Sequence, residues 1–413
     1  MSQRYFAEPY QFRPPCRSTW FVNIAQWAEP IYFPLMLNVA RMEFPGLERL
    51  QESLKSNQGI LLACNHTSGC DPFVLGKLAQ ASGRWIHFIA SYHLFRGTSE
   101  LFGELIRRMG AYSIFREGPD LASMKATVEL LRTGDRPILI FPEGTYFKQN
   151  DRIGPLQDGI GLILRQALRN EVRPIVLHPL AIKYWFRRDP LPHVRGVWTT
   201  LERRHGIEHG ARQSDLRRLE RLIRLGMESM FADSRFGNED EPLEHLIFQT
   251  VADQLERLTG ETESAGSSGA DKSPTRNTLW AAIRKYRQTL VRELVEMAGN
   301  LRAQVPIQKK LTTLLQCENV LSISIDYAAE DPSWERIWET WARWEETAGD
   351  NESPFPAPVT AVVQVGPAMG LKKKDRARPG ELTLDPAAAD FNSCLHKAMS
   401  EQLAILRARA PVR

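Results

Sequence analysis

The chain has 413 residues, and single hydrophobic cores stop growing near roughly 250–300 residues, so the length predicts two domains or one domain with a large insertion. An apolar fraction of 43% and a charged fraction of 25% are ordinary for a globular chain and exclude a disordered, collagenous or multi-span membrane protein. The net charge of +4 is compatible with an anionic membrane or substrate, but it is too small to indicate nucleic-acid binding.

The N-terminal part contains one strongly apolar segment, Trp20 to Leu37. Asn, Gln, Glu and two Pro interrupt it, so it is a poor candidate for a straight membrane-spanning helix. Its Trp, Tyr and Phe rings favour a position in a membrane interface. Packing of a helix–Pro–helix hairpin on the protein's own core is the alternative. A secretory signal is not predicted.

Short apolar runs alternate with helical patterns over residues 59–184, which predicts an α/β fold with a mostly parallel sheet flanked by helices. The strand-like runs are Ile60–Cys64, Ile86–Ala90, Tyr112–Phe115, Ile138–Phe141 and Ile175–Ile182. Helical spacing is found at Asp120–Arg132 and Leu156–Arg169.

Residues 195–349 instead predict long amphipathic helices. One of them carries an aromatic stripe, for which helix-packing core is favoured over a lipid platform; its residues are Trp334, Ile337, Trp338, Trp341 and Trp344. A Gly/Ser/Thr-rich segment at 259–278 predicts a flexible linker.

A further strand is predicted at Ala361–Val365, and a last helix at Leu395–Leu406. A lone terminal strand needs a sheet to join, so we expect one α/β core with a helical insertion. The predicted parts are an N-terminal amphipathic helical segment at 1–57, an α/β core at 58–194, the insertion at 195–358, and a strand and helix returning to the core at 359–413.

Polar clusters directly follow three of the predicted strands: Asn65 to Asp71, Arg116 to Gly118, and Pro142 to Thr145. In open α/β sheets ligands bind beyond the carboxyl ends of the strands, so these clusters are expected to converge at one edge.

His66 is the candidate general base, because an imidazole with an ordinary pKa of about 6.5 titrates near operating pH. Asp71 is placed to accept a hydrogen bond from its ring and stabilise the imidazolium. Asp71 followed by Pro72 is also a good helix N-cap, and both roles are compatible. No nucleophile-elbow serine is found, so the substrate's own hydroxyl is the expected nucleophile.

Metal binding is a weaker interpretation of the same cluster. The spacing of Cys64, His66, Cys70 and Asp71 matches no standard zinc pattern, so no metal or other cofactor is expected. The five cysteines, an odd number, predict free thiols in a reducing compartment. Arg116 carries a guanidinium suited to phosphate, although a surface ion pair with Glu117 is the alternative.

At these residues the sequence resembles the glycerolipid acyltransferases of the lysophosphatidic acid acyltransferase type. Four blocks match in order: Asn65–Asp71 (NHxxxxD), Gly110–Arg116, Phe141–Thr145 (FPEGT) and Pro174–Tyr184. The resemblance implies transfer of an acyl group from acyl-CoA or acyl carrier protein to the hydroxyl of a lysophospholipid or glycerol-phosphate-type acceptor, without an acyl-enzyme.

The resemblance also implies residue roles. His66 and Asp71 would be the catalytic base and its partner, and Arg116 would hold the acceptor phosphate. Glu143 and Gly144 would shape the acceptor site, with hydrogen bonds donated at that bend to the oxyanion. The remaining candidate substrate-binding residues are Asn65, Gly110, Thr145 and Lys148. The N-terminal segment would dock on a membrane, giving a peripheral or monotopic protein on the cytoplasmic face.

One departure is informative. The family's FPEGT block commonly continues with Arg and Ser, but Tyr146 and Phe147 stand here, so one phosphate contact is missing. Lys148 or Arg152 is a candidate replacement, and an acyltransferase or transacylase for a lipid acceptor without phosphate is the alternative. A non-catalytic lipid-binding scaffold is the alternative outside enzymes.

Overall fold

The computed structural model describes residues 7–16, 37–96, 100–169, 172–207, 214–232, 241–260, 274–349, 354–371 and 383–409. By their internal contacts the residues fall into two compact units. The α/β unit comprises residues 11–188 and 354–413, and the helical unit comprises residues 1–10 and 189–353.

The described part of the α/β unit contains one nine-stranded sheet. Its strands are β1 (Val39–Glu43), β2 (Gly59–Cys64), β3 (His87–Ser91), β4 (Ala111–Ile114), β5 (Ile138–Ile140), β6 (Ile175–Phe186), β7 (Val359–Val365), β8 (Met369–Leu371) and β9 (Thr383–Leu384). The main order is β1-β7-β6-β2-β5-β3-β4. The five predicted runs and the predicted terminal strand are therefore all strands.

Strands β6, β2, β5, β3 and β4 are mutually parallel, so their carboxyl ends meet at one edge, called here the carboxyl edge. Strand β7 is antiparallel to the second half of β6, from Leu180↔Val365 to Phe186↔Val359, and parallel to β1. The start of β6 instead pairs with β8, at Val176↔Gly370. The long strand β6 therefore joins the C-terminal part of the chain to the parallel sheet.

Helices cover both faces of this sheet. They are α1 (Leu47–Lys55), α2 (Asp71–Ser82), α3 (Glu100–Arg108), α4 (Leu121–Thr133), α5 (Gly159–Arg169) and α13 (Phe391–Ala408). Helices α4, α5 and α13 bury Leu131, Leu164 and Leu395 in the cluster that contains Leu61 of β2. On α1, Ser53 hydrogen-bonds His178 of β6. This places α1 against the sheet as well.

The helical unit contains α6 (Leu191–Arg204), α7 (Asp215–Met230), α8 (Leu243–Thr259), α9 (Arg276–Glu296), α10 (Leu301–Leu321), α11 (Ile325–Glu330) and α12 (Trp334–Gly349). In the aromatic stripe of α12, Trp338, Trp341 and Trp344 are each 4% exposed, and Trp334 at the start of the helix is half-buried. Trp341 packs edge-on against Trp198 of α6, at 5.7 Å between ring centroids. The prediction of helix-packing core is confirmed.

The structure differs from the predicted division near the N-terminus. Residues 39–55, assigned to the amphipathic segment, form β1 and α1 of the α/β unit. Strand β1 is short and half-exposed (Val-Ala-Arg-Met-Glu), so its sequence lacks the continuous apolar run by which the central strands are recognised.

Several predictions lie outside the described residues. Most of Trp20–Leu37 is among them, and so is the middle of the predicted linker, for which the structure gives only the end of α8 at Thr259 and the start of α9 at Arg276. None of the helices within the described ranges has the length and apolarity that crossing a bilayer requires.

Candidate active site

The carboxyl end of β2 continues into Asn65, whose side chain is fully buried. Its amide nitrogen donates to the Ile182 carbonyl at 3.0 Å, and its amide oxygen accepts from the Ile182 N–H at 2.7 Å. Asn65 therefore extends the β2–β6 pairing with a side chain. The substrate-binding role predicted for it does not fit, because both ends of the amide are used by β6.

Asp71 is the first residue of α2 and is fully buried. Its carboxylate accepts hydrogen bonds from the loop that precedes the helix. Oδ2 accepts hydrogen bonds from the Thr67 and Ser68 N–H groups, at 2.7 and 3.0 Å. Oδ2 also lies 2.8 Å from Nδ1 of His66. The N-cap position of α2 is Cys70 rather than Asp71, so the carboxylate holds the loop and the imidazole instead of capping the helix.

The imidazole of His66 is fixed on one side and open on the other. Its ring stacks on Phe141, with centroids 4.0 Å apart and planes at 16°, and Tyr146 lies at 5.3 Å. The side chain is 16% exposed. With Nδ1 held by Asp71, Nε2 is the nitrogen that can meet a substrate. Among the described residues Nε2 has no hydrogen-bond partner.

Glu143 follows β5 and is 4% exposed. Oε1 accepts from the His66 N–H at 2.9 Å, and Oε2 accepts from the Gly154 N–H at 2.7 Å. Burial raises the pKa of Glu143 to about 8, and the two N–H donors partly oppose this rise. Both oxygens are committed to main chain, so Glu143 fixes the backbone of His66 instead of facing an acceptor.

Gly144 and Thr145 form the turn after Glu143. Gly144 has φ of +76°, a conformation that glycine adopts without strain. Its N–H donates to the Phe141 carbonyl at 3.0 Å. This N–H is thus used within the turn, and the expected donation from it to an oxyanion does not fit the geometry. Thr145 is half-buried beside it.

Two residues that the sequence analysis missed complete the support of the site. Asn150 donates its amide to the Tyr184 carbonyl at 2.5 Å and accepts from the Tyr184 N–H at 2.9 Å. The Tyr184 hydroxyl in turn donates to Oδ1 of Asp71 at 2.6 Å. Tyr184 is the last residue of the fourth matching block, and this position was the only indication in the sequence that it belongs to the site.

Arg116 is exposed and lies two residues beyond the end of β4, at the carboxyl edge. The turn that carries it is fixed by Asp120, which accepts from the N–H groups of Phe115 and Ser123, at 2.8 Å each, and caps α4. Arg116 is therefore on the same edge as His66, but three strand positions away.

Gly110 does not belong to this edge. It precedes β4 and so lies at the opposite end of the parallel strands. Its φ is +112°, and a Cβ there would come within 2.7 Å of the Ile86 carbonyl oxygen. The backbone conformation and the close approach to β3 explain the glycine without the predicted substrate-binding role.

Lys148 is 3% exposed and has a left-handed φ of +50°. A buried ammonium does not face an incoming head group, so the expected replacement of the missing phosphate contact does not fit Lys148. Arg152 is half-buried in the same loop.

The cysteines near the site are thiols. None of the five cysteines, all of them within the described ranges, forms a disulfide bond, as predicted. Burial, followed by the charges of Asp71 and Glu143, raises the pKa of the Cys64 thiol. Within the ranges that the structure describes, no three His, Cys, Asp or Glu side chains gather as metal ligands.

A mostly parallel sheet presents a buried carboxylate–histidine pair at its carboxyl edge with Nε2 open, an arrangement suited to general-base chemistry. Residues 41–183 match the family model described as Acyltransferase. Residues 41–183 thus match an acyltransferase domain, and with the two relatives below this match confirms the resemblance to glycerolipid acyltransferases.

Two curated relatives share the name 1-acyl-sn-glycerol-3-phosphate acyltransferase. The protein of Bacillus subtilis (strain 168) is 30% identical over 95 residues, which cover 23% of this chain and 45% of that protein. The protein of Streptococcus pneumoniae (strain ATCC BAA-255 / R6) is 28% identical over 134 residues, covering 32% and 47%. The chain thus spans about half the length of these relatives.

Proposed function

We propose that the protein transfers an acyl group from a thioester, acyl-CoA or acyl carrier protein, to the hydroxyl of a lysophospholipid or glycerol-phosphate-type acceptor. The observation that carries the proposal is the His66–Asp71 pair, in which Asp71 holds Nδ1 at 2.8 Å and leaves Nε2 open. The family of residues 41–183 supports the reaction class.

In the proposed mechanism Nε2 of His66 takes the proton of the acceptor hydroxyl as that oxygen attacks the thioester carbonyl. The new C–O bond forms, a tetrahedral oxyanion develops, and the C–S bond then breaks. The proton on Nε2 passes to the departing thiolate. Asp71 stabilises the transient imidazolium through Nδ1–H. The chain supplies no acyl-enzyme step in this scheme.

Arg116 is proposed to hold the acceptor phosphate. Neighbouring strands are about 4.8 Å apart, so three strand positions separate the ends of β2 and β4 by roughly 14 Å. An extended arginine side chain and an acceptor of glycerol-phosphate size together are long enough to span that separation. Asp120 fixes the turn from which the guanidinium extends.

A second candidate acceptor is a lipid without phosphate. Tyr146 stands where the family commonly has Arg, and its ring packs against His66 at 5.3 Å. Close to the base, the acceptor therefore meets an aromatic ring rather than a cation. This favours an acceptor with less negative charge next to its reacting hydroxyl.

The proposed acceptor is a membrane lipid, so we propose that the protein lies on the membrane surface as a peripheral protein. Leu101 at the start of α3 is 86% exposed, and Leu121 at the start of α4 is 59% exposed. Each helix follows a strand that ends at the carboxyl edge, so both apolar side chains lie toward the side of the sheet that carries His66. Arg116 and Lys125, which are also exposed, add cations suited to anionic head groups.

The proposed function is tested by incubating the purified protein with a panel of lysolipids and of neutral hydroxyl lipids, each with acyl-CoA and with acyl carrier protein donors. Product lipids are read by mass. We expect acylation of at least one lysolipid. Acylation of neutral lipids alone would select the second candidate, and no product from any pair would contradict the proposal.

A further inference from the structure

Tyr184 is a buried residue of β6 whose hydroxyl reaches the centre of the candidate active site. It is 4% exposed, and its hydroxyl donates to Oδ1 of Asp71 at 2.6 Å. A tyrosine brings a large apolar ring and one polar atom into a core, and that atom needs a partner when it is buried. Here the partner is the carboxylate that holds His66.

The two oxygens of Asp71 are bound very differently. Oδ2 accepts from Nδ1 of His66 and from two loop N–H groups, all within 3.0 Å. Oδ1 accepts from the Tyr184 hydroxyl at 2.6 Å and from the Thr67 hydroxyl at the longer distance of 3.4 Å. Among the described residues Tyr184 is thus the one short donor to Oδ1.

Tyr184 is itself held in place from two sides. Its main-chain N–H and carbonyl are both paired with the side-chain amide of Asn150. Its ring packs against Phe355, with centroids 5.0 Å apart. Burial, followed by the charge of Asp71, raises the pKa of Tyr184 well above 10, so its hydroxyl carries its proton at working pH.

We propose that Tyr184 is a positioning residue of the His66–Asp71 pair, whose hydroxyl orients the Asp71 carboxylate and disperses part of its negative charge. A carboxylate with a second strong donor attracts the imidazolium less strongly. Tyr184 therefore keeps the imidazole of His66 neutral, and hence able to accept a proton, at lower pH than Asp71 alone would allow.

Other groups around the pair are kept constant in the test. The titratable groups that face it are Cys64 on β2, Cys70 before α2, Glu143 after β5, and Tyr146 beside the ring. Removing only the Tyr184 hydroxyl leaves all of them in place. Without this hydroxyl the Asp71 carboxylate becomes more basic, and we expect His66 to protonate at higher pH.

The experiment compares Tyr184→Phe with Tyr112→Phe. Tyr112 on β4 is a matched control, because it is also fully buried and its hydroxyl bonds Thr127 at 2.8 Å, away from Asp71. The protonation midpoint of His66 is followed by ¹³C NMR of labelled histidine without substrate, and the signal is assigned with His66→Gln among the nine histidines. We expect Tyr184→Phe to raise this midpoint by about one pH unit. The lost hydrogen bond stabilises the charge of the Asp71 carboxylate, and a carboxylate without it attracts the His66 imidazolium more strongly.

A kinetic arm rests on the proposed function. For acyl transfer, Tyr184→Phe is expected to lower kcat about tenfold with KM little changed, and to move the acid limb of the pH–rate profile up by a similar interval. Tyr112→Phe should move neither. 3-Fluorotyrosine at position 184 has nearly the same shape as tyrosine and a more acidic hydroxyl, so it should move both midpoints down. It replaces the Phe variant in the test if that variant does not fold.

Equal midpoints in Tyr184→Phe, the fluorotyrosine protein and the wild type would overturn the inference. So would an equal shift in Tyr112→Phe. An inactive wild-type protein would contradict the proposed acyl transfer alone, since the NMR arm measures the Tyr184–Asp71–His66 connection without any turnover.

Discussion

The two units use buried polar side chains in different ways. Around His66, three of the buried polar side chains bind main chain: Asn65 and Asn150 pair with β6, and Glu143 accepts from two N–H groups. In the helical unit, several buried polar side chains bind one another. Arg343 donates to the side chains of Ser322 and Asn319, and the Tyr327 hydroxyl donates to Glu339.

This difference distinguishes the candidate active site around His66 from the packing core of the helical unit. Side chains that fix loop backbone hold a reactive group in place and leave one of its atoms open, which is the state of Nε2 in His66. The side-chain pairs of the helical unit join α12 to the end of α10 and to α11, so they specify helix packing. We therefore assign the proposed chemistry to the α/β unit, and four variants test the comparison between the two units.

The largest expected effect is that of His66→Ala. Loss of the general base should reduce acyl transfer by at least about 10³-fold, while the fold stays intact, because the ring is partly exposed and other groups hold the loop. Product mass and circular dichroism measure the two outcomes. His245→Ala, which removes an exposed histidine of the helical unit, is the control. Activity equal to wild type in His66→Ala would remove the base from the proposed mechanism.

Gly226→Ala tests the packing of the helical unit. A Cβ at Gly226 would lie 2.0 Å from the Trp344 ring, so we expect about 2–3 kcal/mol of destabilisation. Gly196→Ala on α6 is the matched control, since a Cβ there meets nothing within 4 Å, and it should be neutral or stabilising by about 0.5–1 kcal/mol. Hydrogen exchange of α7 and α12 measures the change. Equal protection in the two variants would contradict the tight contact.

Arg116→Ala tests the phosphate role within the α/β unit. Loss of a charge-assisted contact should raise KM for a phosphorylated acceptor by about 10–100-fold and leave a neutral acceptor nearly unaffected. Steady-state kinetics with both acceptors measure the difference, and Arg108→Ala removes another exposed arginine as a control. An equal loss on both acceptors would indicate a role in the fold of the turn.

The smallest effect is expected for membrane binding. Leu101→Ser combined with Leu121→Ser should weaken cosedimentation with anionic vesicles about three- to tenfold, because two partly inserted leucines are lost. Leu301→Ser with Val305→Ser removes comparably exposed apolar groups, 77% and 64% exposed, from the helical unit. Equal weakening by both pairs would show that the surface at α3 and α4 is not special.

The central strands could be predicted from sequence because a parallel sheet covered on both faces needs continuous apolar runs. Residues Ile60–Cys64 and Ile175–Ile182 are such runs, and both are buried strands. Strand β1 could not be found this way, since its Arg41 and Glu43 belong to a short edge strand whose partner is some 320 residues away.

The reactive pair could also be predicted, because His66 and Asp71 are close in sequence and follow a strand. Their supports could not. Asn150 acts on Tyr184 only through the tertiary register of a loop against β6, and Tyr184 reaches Asp71 across 113 positions of sequence. The motif marked Glu143 and Gly110 as site residues, but whether a motif residue faces substrate or backbone depends on that same register.

The position of β7 has a consequence for synthesis of the chain. It lies between β1 and β6, so β1 has no strand to join until residues 359–365 have left the ribosome. At roughly 5–20 residues per second, about 15–60 s pass between the synthesis of β1 and that of β7, and residues 189–353 of the helical unit are made in this interval. The five parallel strands are synthesised long before, so β7 is added to the edge of β6, and β1 to β7, only after the helical insertion has been made.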